Sequence, residues 1–529
     1  MRYYKRLSFQ VKNLTKHKYL IALFLGGFMT VGIALKYLLY PIITYEFNLY
    51  TDNLPSGSIF TIVDDQGNEV AGCGFQDFYN TRVPPRRNIL QFYITTNQKP
   101  IIRKLDSSKS SYIYLWSINK DVYAEDYISD EIRCCLIFDS TTQKLVPTKS
   151  RFNGCLLNDV VVDKKLEFSE GQVIFDNNVI LSSTDDISNH SFYFANDRVF
   201  YFSYDSKNNR STINSIPLNS LINRDYSKLT SIEPQFSDIH RTGIYAWGIH
   251  QNMVFTCTNM GTIYMFNGKK WITLKEGEIN TSYQIYSIGH FYNKLIGGHY
   301  PTGKLLEYND KIQDFELITK EGFDLIKPYM NPAAREAQTL AIYGGRLFVG
   351  IWPWSELWSC SKDSCDLVTR IIKHPVQDGT QVHPYEEEAS KHGHVFNALG
   401  QRITSLVPYR QELLISTGTK AAIINPLKDN NIIDDKLKSD YGAIYSLYLP
   451  GTISVPILMN NNKKQISIKI RISKNIVEIL QDDIILDRMK IDKGLAKKLR
   501  RKTKILWGQG IFGECSQTIN HGQVRKGIF

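Results

Sequence analysis

One pattern recurs four times between about residues 243 and 425 of this 529-residue chain, and it constrains the fold more than any other feature. Each copy consists of a strand, a polar turn, a strand rich in small residues, a turn with glycine, and an aromatic or apolar strand. The polar turns lie near residues 251, 293, 344 and 411, so they are 42, 51 and 67 residues apart. A unit of about 40–50 residues with three or four short strands is typical of one β-propeller blade, and the longer intervals predict inserts. The copies are Gly243–Trp271, Gln284–Asn309, Thr339–Cys360 and Arg402–Pro426.

Two of the copies carry the pattern most clearly. Lys294-Leu-Ile-Gly-Gly is followed by Gly303-Lys-Leu-Leu-Glu-Tyr, and Arg346-Leu-Phe-Val-Gly is followed by Glu356-Leu-Trp. This pattern resembles β-propellers of the kelch and sialidase-like kind, and the resemblance implies radial sheets with a ligand-binding face. The chain lacks the S-x-D-x-G-x-T-W box of sialidases and a set of WD dipeptides, and it has the paired-glycine kelch signature only in fragments. The resemblance therefore implies an architecture and no particular activity.

The rest of the chain after residue 45 also has strand patterns. Gln465–Ile472 alternates apolar and polar residues, which predicts a half-buried strand, and Ile476–Leu480 is expected to pair back onto it. This meander resembles part of a concanavalin-like or laminin-G-like jelly roll. We expect an all-β fold: a β-propeller with a C-terminal jelly-roll-like module and one N-terminal transmembrane helix. The predicted parts are a basic cytoplasmic tail (1–18), a transmembrane anchor (19–44), a β-rich segment that is a small domain or the first blades (45–165), the propeller (166–450) and the jelly-roll-like module (451–529).

The N-terminal segment has the pattern of a membrane anchor. Residues 19–43 are apolar apart from Lys36, and their 25 residues can cross a hydrocarbon core of about 30 Å. Six bases precede this segment and acids follow it from Glu46, so the positive-inside rule places residues 1–18 in the cytoplasm and the bulk of the chain outside. The alternative is a cleaved signal peptide with a small-residue site at residues 32–34. We favour the uncleaved anchor because the basic lead is long and the apolar stretch resumes after Lys36.

The positive charge is confined to two segments. The net charge is +11, but residues 1–44 hold seven bases and Lys497–Lys504 holds six, with no acid in either segment, which leaves −2 for everything else. A nucleic-acid-binding protein usually carries a basic stripe across its folded domain, so we expect no nucleic-acid partner. The second basic run is either a solvated loop or a site for an anionic polysaccharide, lipid headgroups or a protein.

The eight cysteines all lie beyond the predicted anchor, where disulfides are permitted. Cys360 and Cys365 flank a turn-rich tetrapeptide, which favours a disulfide that staples a hairpin. A zinc site would need a second close pair, so no metal is expected. Gly508, Gly510 and Gly513 match the dinucleotide-binding spacing, but neither a helical pattern nor a suitably placed acid follows, so we interpret them as a strand turn and expect no cofactor.

The segment Trp352-Pro-Trp354-Ser-Glu-Leu-Trp358 is the main candidate for ligand contact. Exposed indole faces stack on sugar rings, and neighbouring carboxylates bind hydroxyl groups. We assign Trp358 to packing between blades, whereas Trp352 and Trp354 flank a proline turn and are either exposed or packed in the same way. Three arginines could reach the same central face, together with Glu336: Arg335, Arg346 and Arg402.

Candidate catalytic groups lie in the insert before the fourth copy, where His and Glu are frequent: Tyr385, Glu386, His392 and His394. A sialidase-type site needs arginines on a carboxylate, a tyrosine nucleophile with a glutamate, and an aspartic acid, and Tyr385 beside Glu386 could take the tyrosine–glutamate role. The alternative is a hydrogen-bonded or solvated loop, which we favour because no metal-binding spacing such as H-E-x-x-H is present.

These observations lead to three functional hypotheses. The first is a membrane-anchored extracytoplasmic propeller that binds glycan or protein ligands without catalysis. The second is a glycan-processing hydrolase or lyase with its site on the propeller face. The third is a structural assembly factor of an envelope, with neither pocket nor patch except at an oligomer edge. The sequence leaves open whether the protein is an enzyme.

Overall fold

A computed structural model gives the fold of most of the chain. Strands dominate it, and the helices that it describes are short. They are α1 (Leu218–Ile222), a 3-10 turn (Tyr226–Lys228), α2 (Glu386–Lys391), α3 (Asp435–Lys438) and α4 (Lys493–Arg500). The residues described are 41–50, 56–80, 88–108, 110–118, 120–129, 132–147, 160–161, 166–169, 171–236, 243–278, 283–419, 432–458, 463–500, 503–516 and 522–528.

Six strands precede the first repeated unit. Four of them later join a β-sandwich, one extends a blade, and one completes the last blade. They are β1 (Pro41–Tyr50), β2 (Gly57–Val63), β3 (Glu69–Phe75), β4 (Tyr79–Asn80), β5 (Ile89–Ile94) and β6 (Ile101–Ser107).

Seven four-stranded antiparallel units follow within the described residues. The first three are β7 to β10 (Ile113–Ile118, Asp121–Ser129, Ile132–Asp139, Lys144–Pro147), β11 to β14 (Val160–Val161, Leu166–Ser169, Gln172–Phe175, Asn178–Leu181) and β15 to β18 (Ile187–Ala195, Arg198–Asp205, Arg210–Pro217, Thr230–Ile232). The fourth and fifth are β19 to β22 (Ile244–His250, Met253–Thr258, Ile263–Phe266, Trp271–Lys275) and β23 to β26 (Gln284–Phe291, Lys294–Tyr300, Leu305–Asn309, Asp314–Leu317), the latter extended by β4. The last two are β27 to β30 (Glu336–Tyr343, Arg346–Trp352, Glu356–Cys360, Cys365–Arg370) and β31 to β33 (Gln401–Tyr409, Glu412–Thr419, Ala443–Tyr448) with β6.

The seventh unit joins the two ends of this series. Its outer strand is β6, which precedes the first unit and pairs antiparallel with β33, Ile101 opposite Tyr448. The first strands of neighbouring units contact one another from β15 through β19, β23, β27 and β31 to β7. The fold is therefore all-β with repeated blades, as in a β-propeller. The disulfide between Cys360 and Cys365 joins β29 to β30 in the sixth blade, which confirms that pairing.

The last strands and the first strands form a β-sandwich. The C-terminal strands are β34 (Thr452–Pro456), β35 (Gln465–Ser473), β36 (Ile476–Gln481), β37 (Ile484–Lys490), β38 (Lys504–Trp507) and β39 (Gln523–Ile528). One sheet has the order β37-β36-β35-β1-β39 and the other β34-β5-β3-β2-β38, and their inner faces share one apolar core. The predicted strand at Gln465–Ile472 is confirmed, because its isoleucines alternate into that core. The segment predicted as a separate C-terminal module therefore forms both sheets together with strands that precede the first blade. The sequence did not indicate this arrangement, because pairing between strands far apart in the chain leaves no local pattern.

The last four residues of the predicted anchor are the only part of it that the structure describes. Residues 41–44 belong to β1, which lies between β35 and β39 in the sheet. Residues 19–40 and the basic tail lie outside the described residues. No helix in the part of the chain that the structure describes is long and apolar enough to span a membrane.

Candidate ligand-binding face of the propeller

Most of the candidate residues meet on one side of the propeller. We define the upper face as the side on which the first strands of the blades begin, at Gln284, Glu336 and Gln401 for the last three blades. The turn from β28 to β29 lies on this face, because Trp352 is paired with Glu336 at the start of β27. The insert between β30 and β31, residues 371–400, lies over the same turn.

Arg335 and Glu356 form a buried ion pair on this face. Both side chains are fully buried, and Arg335 donates from both terminal nitrogens, one bond being Nη1 to Oε1 at 3.0 Å. Arg335 Nη2 also donates to the Leu325 carbonyl at 2.9 Å. Glu356 accepts two further bonds, from the Gln377 amide at 3.0 Å and the Trp358 indole at 3.2 Å. A bidentate pair with this many additional bonds ties the insert to the sixth blade.

Arg402 and Glu336 form a second buried pair, across the boundary between the sixth and seventh blades. Arg402 Nη1 lies 3.1 Å from Glu336 Oε2 and 2.9 Å from Gln338 Oε1. The Tyr286 hydroxyl donates to Glu336 Oε1 at 3.1 Å from the fifth blade. The Arg402 guanidinium also lies 5.3 Å from the centre of the Trp352 ring, so one face of that indole is occupied by a cation.

The two tryptophans of the proline turn are buried, each with 2% of its surface exposed. The His383 ring lies 4.9 Å from the Trp352 ring, and a Cβ at Gly400 would lie 2.3 Å from Trp352 Nε1. The Trp354 indole donates to the Val382 carbonyl at 2.9 Å. The insert therefore covers both indoles, and of the two alternatives that the sequence leaves open the structure has the packed one. A local pattern indicates the turn but not the segment that folds over it.

Arg346 lies at the opposite end of the sixth blade. It follows the β27–β28 turn, and its Nη2 donates to the carbonyls of Thr96 at 2.6 Å and Gln98 at 3.3 Å. These acceptors belong to the segment between β5 and β6. The structure thus brings Arg335 and Arg402 to the upper face and places Arg346 at the contact between blade and sandwich.

The candidate catalytic groups of the insert have different partners, and the arginine that acts electrostatically on Tyr385 is Arg370 rather than one of the three predicted arginines. The Tyr385 hydroxyl lies 3.2 Å from His374 Nδ1, and burial raises the pKa of Tyr385, which opposes its use as a nucleophile. Glu386 accepts from the backbone nitrogens of Val382 at 3.1 Å and His383 at 3.2 Å. His392 and His394 follow the end of α2. Within the described residues, no group of three or more His, Cys, Asp or Glu side chains is placed to hold a metal ion.

Sequence reasoning missed Tyr286, although a repeat signal marks it. The ladder between the first two strands has a bulge at one repeat position in each of the last four blades. A bulge re-aims its side chain, and the side chains at this position reach the following blade: Tyr286 bonds to Glu336, and the Thr404 hydroxyl bonds to the carbonyl of Ile113. The bulged residues are Tyr245, Tyr286, Gln338 and Thr404. Aligning the copies would have grouped these four residues.

Comparison with known proteins gives distant structural similarity only. No family model matches the chain, and no curated protein matches it. Similar solved structures include the computationally designed Ika8 protein, at 11% identity and a TM-score of 0.33, covering 66% of this chain and 100% of its own. The WD40 repeats of RRP9 are similar at 11% identity and a TM-score of 0.36, covering 66% of this chain and 99% of their own. The fold is therefore assigned from the observed blades and not from these similarities.

Proposed function

We propose that this protein is a membrane-anchored, extracytoplasmic and non-enzymatic propeller whose upper face binds a protein ligand. The observation that carries the proposal is a set of exposed apolar side chains on two adjoining loops of that face. Val376, Val395 and Phe396 of the insert are 83%, 57% and 52% exposed, and Tyr329 of the preceding loop is 49% exposed. Asn331 donates to the Gly379 carbonyl at 3.4 Å, which joins the two loops. Several exposed apolar side chains on one face, above a buried polar framework, are typical of protein-binding sites.

The charged groups beneath these loops support binding rather than catalysis. Glu336 and Glu356 are each buried and paired with an arginine, so both carboxylates are already engaged within the protein. A protein ligand is favoured over a glycan at this face because Trp352 and Trp354 are buried and cannot stack on a sugar. Anchoring rests on the apolar residues 19–40 of the sequence, because residues 41–44 of the predicted anchor belong to β1.

The test is a binding screen of the full chain in detergent against an array of extracellular protein domains and a glycan array. We expect a protein signal that falls about tenfold in Val395→Ser/Phe396→Ser. Ile312→Ser, an equally exposed position on the outer edge of the fifth blade, serves as the matched control and should bind as the wild type does. Unchanged binding by the double variant would refute the proposed face.

A second candidate function rests on one contact. The Tyr286 hydroxyl lies 3.1 Å from Glu336, and Arg402 adjoins that carboxylate, so a tyrosine, a glutamate and an arginine lie together at residues other than Tyr385. In such a site the glutamate takes the tyrosine proton as the tyrosine oxygen bonds to the anomeric carbon and the glycosidic bond breaks. The aglycone leaves with the electron pair of that bond, and water then releases the sugar from the tyrosine. A panel of fluorogenic glycosides tests this function. Turnover that is lost in Tyr286→Phe would support hydrolysis, and absence of turnover across the panel would eliminate it.

A further inference from the structure

A large cleft lies between the sandwich and the lower end of the propeller. Its volume is about 1260 Å³, and it lies at the β23–β24 and β27–β28 turns, the ends of these blades opposite the upper face. The sandwich contributes the start of β3 and the segment after β5, and the sixth blade contributes its β29–β30 hairpin. Arg346 lies in this cleft, together with Gly510 of the glycine-rich segment.

Two tyrosines from separate parts of the chain converge on one carboxylate in the cleft wall. Tyr93 of β5 is almost fully buried and donates its hydroxyl to Glu69 Oε1, and the Tyr292 hydroxyl lies 3.4 Å from Glu69 Oε2. Two glycines make room for Tyr93: a Cβ at Gly72 would lie 2.3 Å from its hydroxyl oxygen, and a Cβ at Gly345 would lie 2.6 Å from its ring. The position of Tyr93 therefore depends on a glycine in the sandwich and on a glycine in the sixth blade.

The Glu69 carboxylate retains acceptor capacity toward the cleft. An ionised carboxylate offers about four acceptor positions, and the two tyrosine hydroxyls use two of them. The Lys362 ammonium lies 5.8 Å from the centre of the Tyr292 ring, so a cation and an aromatic ring stand beside the carboxylate. Burial raises the pKa of Glu69, and the hydrogen bonds from Tyr93 and Tyr292 oppose that rise.

The remaining lining indicates the class of ligand. Amide and hydroxyl side chains are its most frequent polar groups, and it also has charges of both signs and aliphatic side chains, a mixture that does not suit a polyanion or a wholly apolar molecule. Peptide anchoring needs pockets for large apolar side chains, and this lining is poor in them. The cleft is also larger than the about 300–1,000 Å³ typical of small-molecule pockets. The amide and hydroxyl side chains are those of Thr61, Asn68, Thr95, Thr96, Asn97, Gln98, Asn293, Ser359, Ser361, Ser364 and Gln509.

We propose that this cleft binds a neutral oligosaccharide, with Glu69 accepting hydrogen bonds from sugar hydroxyls and the Tyr292 ring packing against a sugar face. The site is separate from the upper face and from the protein ligand proposed there. It requires no covalent step, because a single carboxylate that is held by two tyrosines recognises hydroxyl groups without an acid–base partner.

The test applies the full chain in detergent to an array of neutral and anionic glycans, beside a display library of random peptides. We expect neutral oligosaccharides to bind and Glu69→Gln to weaken them about tenfold, because a hydrogen bond to a charged acceptor is lost. Tyr292→Phe, which removes only a hydroxyl, should also weaken binding. This variant still tests the proposal if the Glu69→Gln protein does not fold. Glu478→Gln is the matched control, since that partly buried carboxylate pairs with Arg471 and neither residue lines the cleft.

The pH dependence separates direct recognition from a structural role. Binding should fall as the pH drops through the pKa of Glu69, and Tyr93→Phe should move this midpoint to higher pH by removing a bond that lowers the pKa. Retention of peptides or anionic glycans alone, or neutral-glycan binding that is indifferent to Glu69→Gln and Tyr292→Phe, would overturn the proposal. The Val395→Ser/Phe396→Ser variant leaves this cleft intact, so failure of the upper-face proposal and failure of this one are distinguishable.

Discussion

Replacing Arg335 by methionine tests whether the buried pair with Glu356 holds the upper face together. The substitution keeps a long side chain but removes the bidentate bond to Glu356 and the bond to the Leu325 carbonyl. Glu356 would remain fully buried with only the Gln377 amide and the Trp358 indole as donors. Breaking a buried ion pair on one side costs about 3–5 kcal/mol, because a charge is left uncompensated.

The expected readout is a change in the melting temperature of the propeller. At about 2 °C per kcal/mol for a large domain, the substitution should lower the melting temperature by about 6–10 °C in differential scanning calorimetry. Arg210→Met is the control, because the Arg210–Glu233 pair is more than half exposed on both sides and such pairs contribute about 0–1 kcal/mol.

A double variant identifies the cause of the loss. Arg335→Met/Glu356→Leu removes both charges, so it should melt above Arg335→Met even though it lacks more native bonds. A single variant that melts within about 2 °C of the wild type would refute the role of the pair in joining the insert to the sixth blade. A double variant less stable than the single would show that packing rather than the uncompensated charge dominates.

Two further predictions concern the same face. Gly400→Ala should displace Trp352, because the new Cβ would lie 2.3 Å from the indole Nε1. Tryptophan fluorescence should then shift to longer wavelength as the indole becomes exposed to solvent. Unchanged fluorescence would contradict the packing of the insert on Trp352. Burial raises the pKa of Asp440, but hydrogen bonds from His374 and Lys104 outweigh this effect and hold it at about 2, below the usual 3.8. The stability from Asp440 should therefore be present above about pH 4 and be lost as the pH falls toward 2, and melting curves of wild type and Asp440→Asn should converge there.

The blades could be predicted from the sequence because their signals are local. The turns expected near residues 251, 293, 344 and 411 are the turns between the first two strands of the last four blades. A strand, a turn and the next strand are adjacent in the chain, so alternation and turn residues are sufficient to locate them. The Cys360–Cys365 disulfide was predictable for the same reason, since it spans one hairpin.

The sandwich and the lower cleft could not be predicted in this way. Glu69 and Tyr292 are 223 residues apart, and β1 pairs with strands near the other end of the chain. A strand pattern states which side chains face a core but not which strand lies beside it. The burial of Trp352 and Trp354 could not be predicted for a related reason. The insert that covers them has no strand pattern from which its position could be inferred.

The bulged position shows how local repetition and long-range contact combine. The backbone repeats in the last four blades, so a bulge aims Tyr286, Gln338 and Thr404 in the same way, but their chemistry differs. Tyr286 bonds to Glu336, the Gln338 side chain bonds to Arg402, and Thr404 bonds to the backbone of the first blade. A repeated backbone with varied side chains at one position lets a propeller hold its blades together while changing the groups around its centre. The chemistry of the upper face is therefore determined by residues that differ between the copies. The repeat pattern records only what the copies share, so it does not identify these residues.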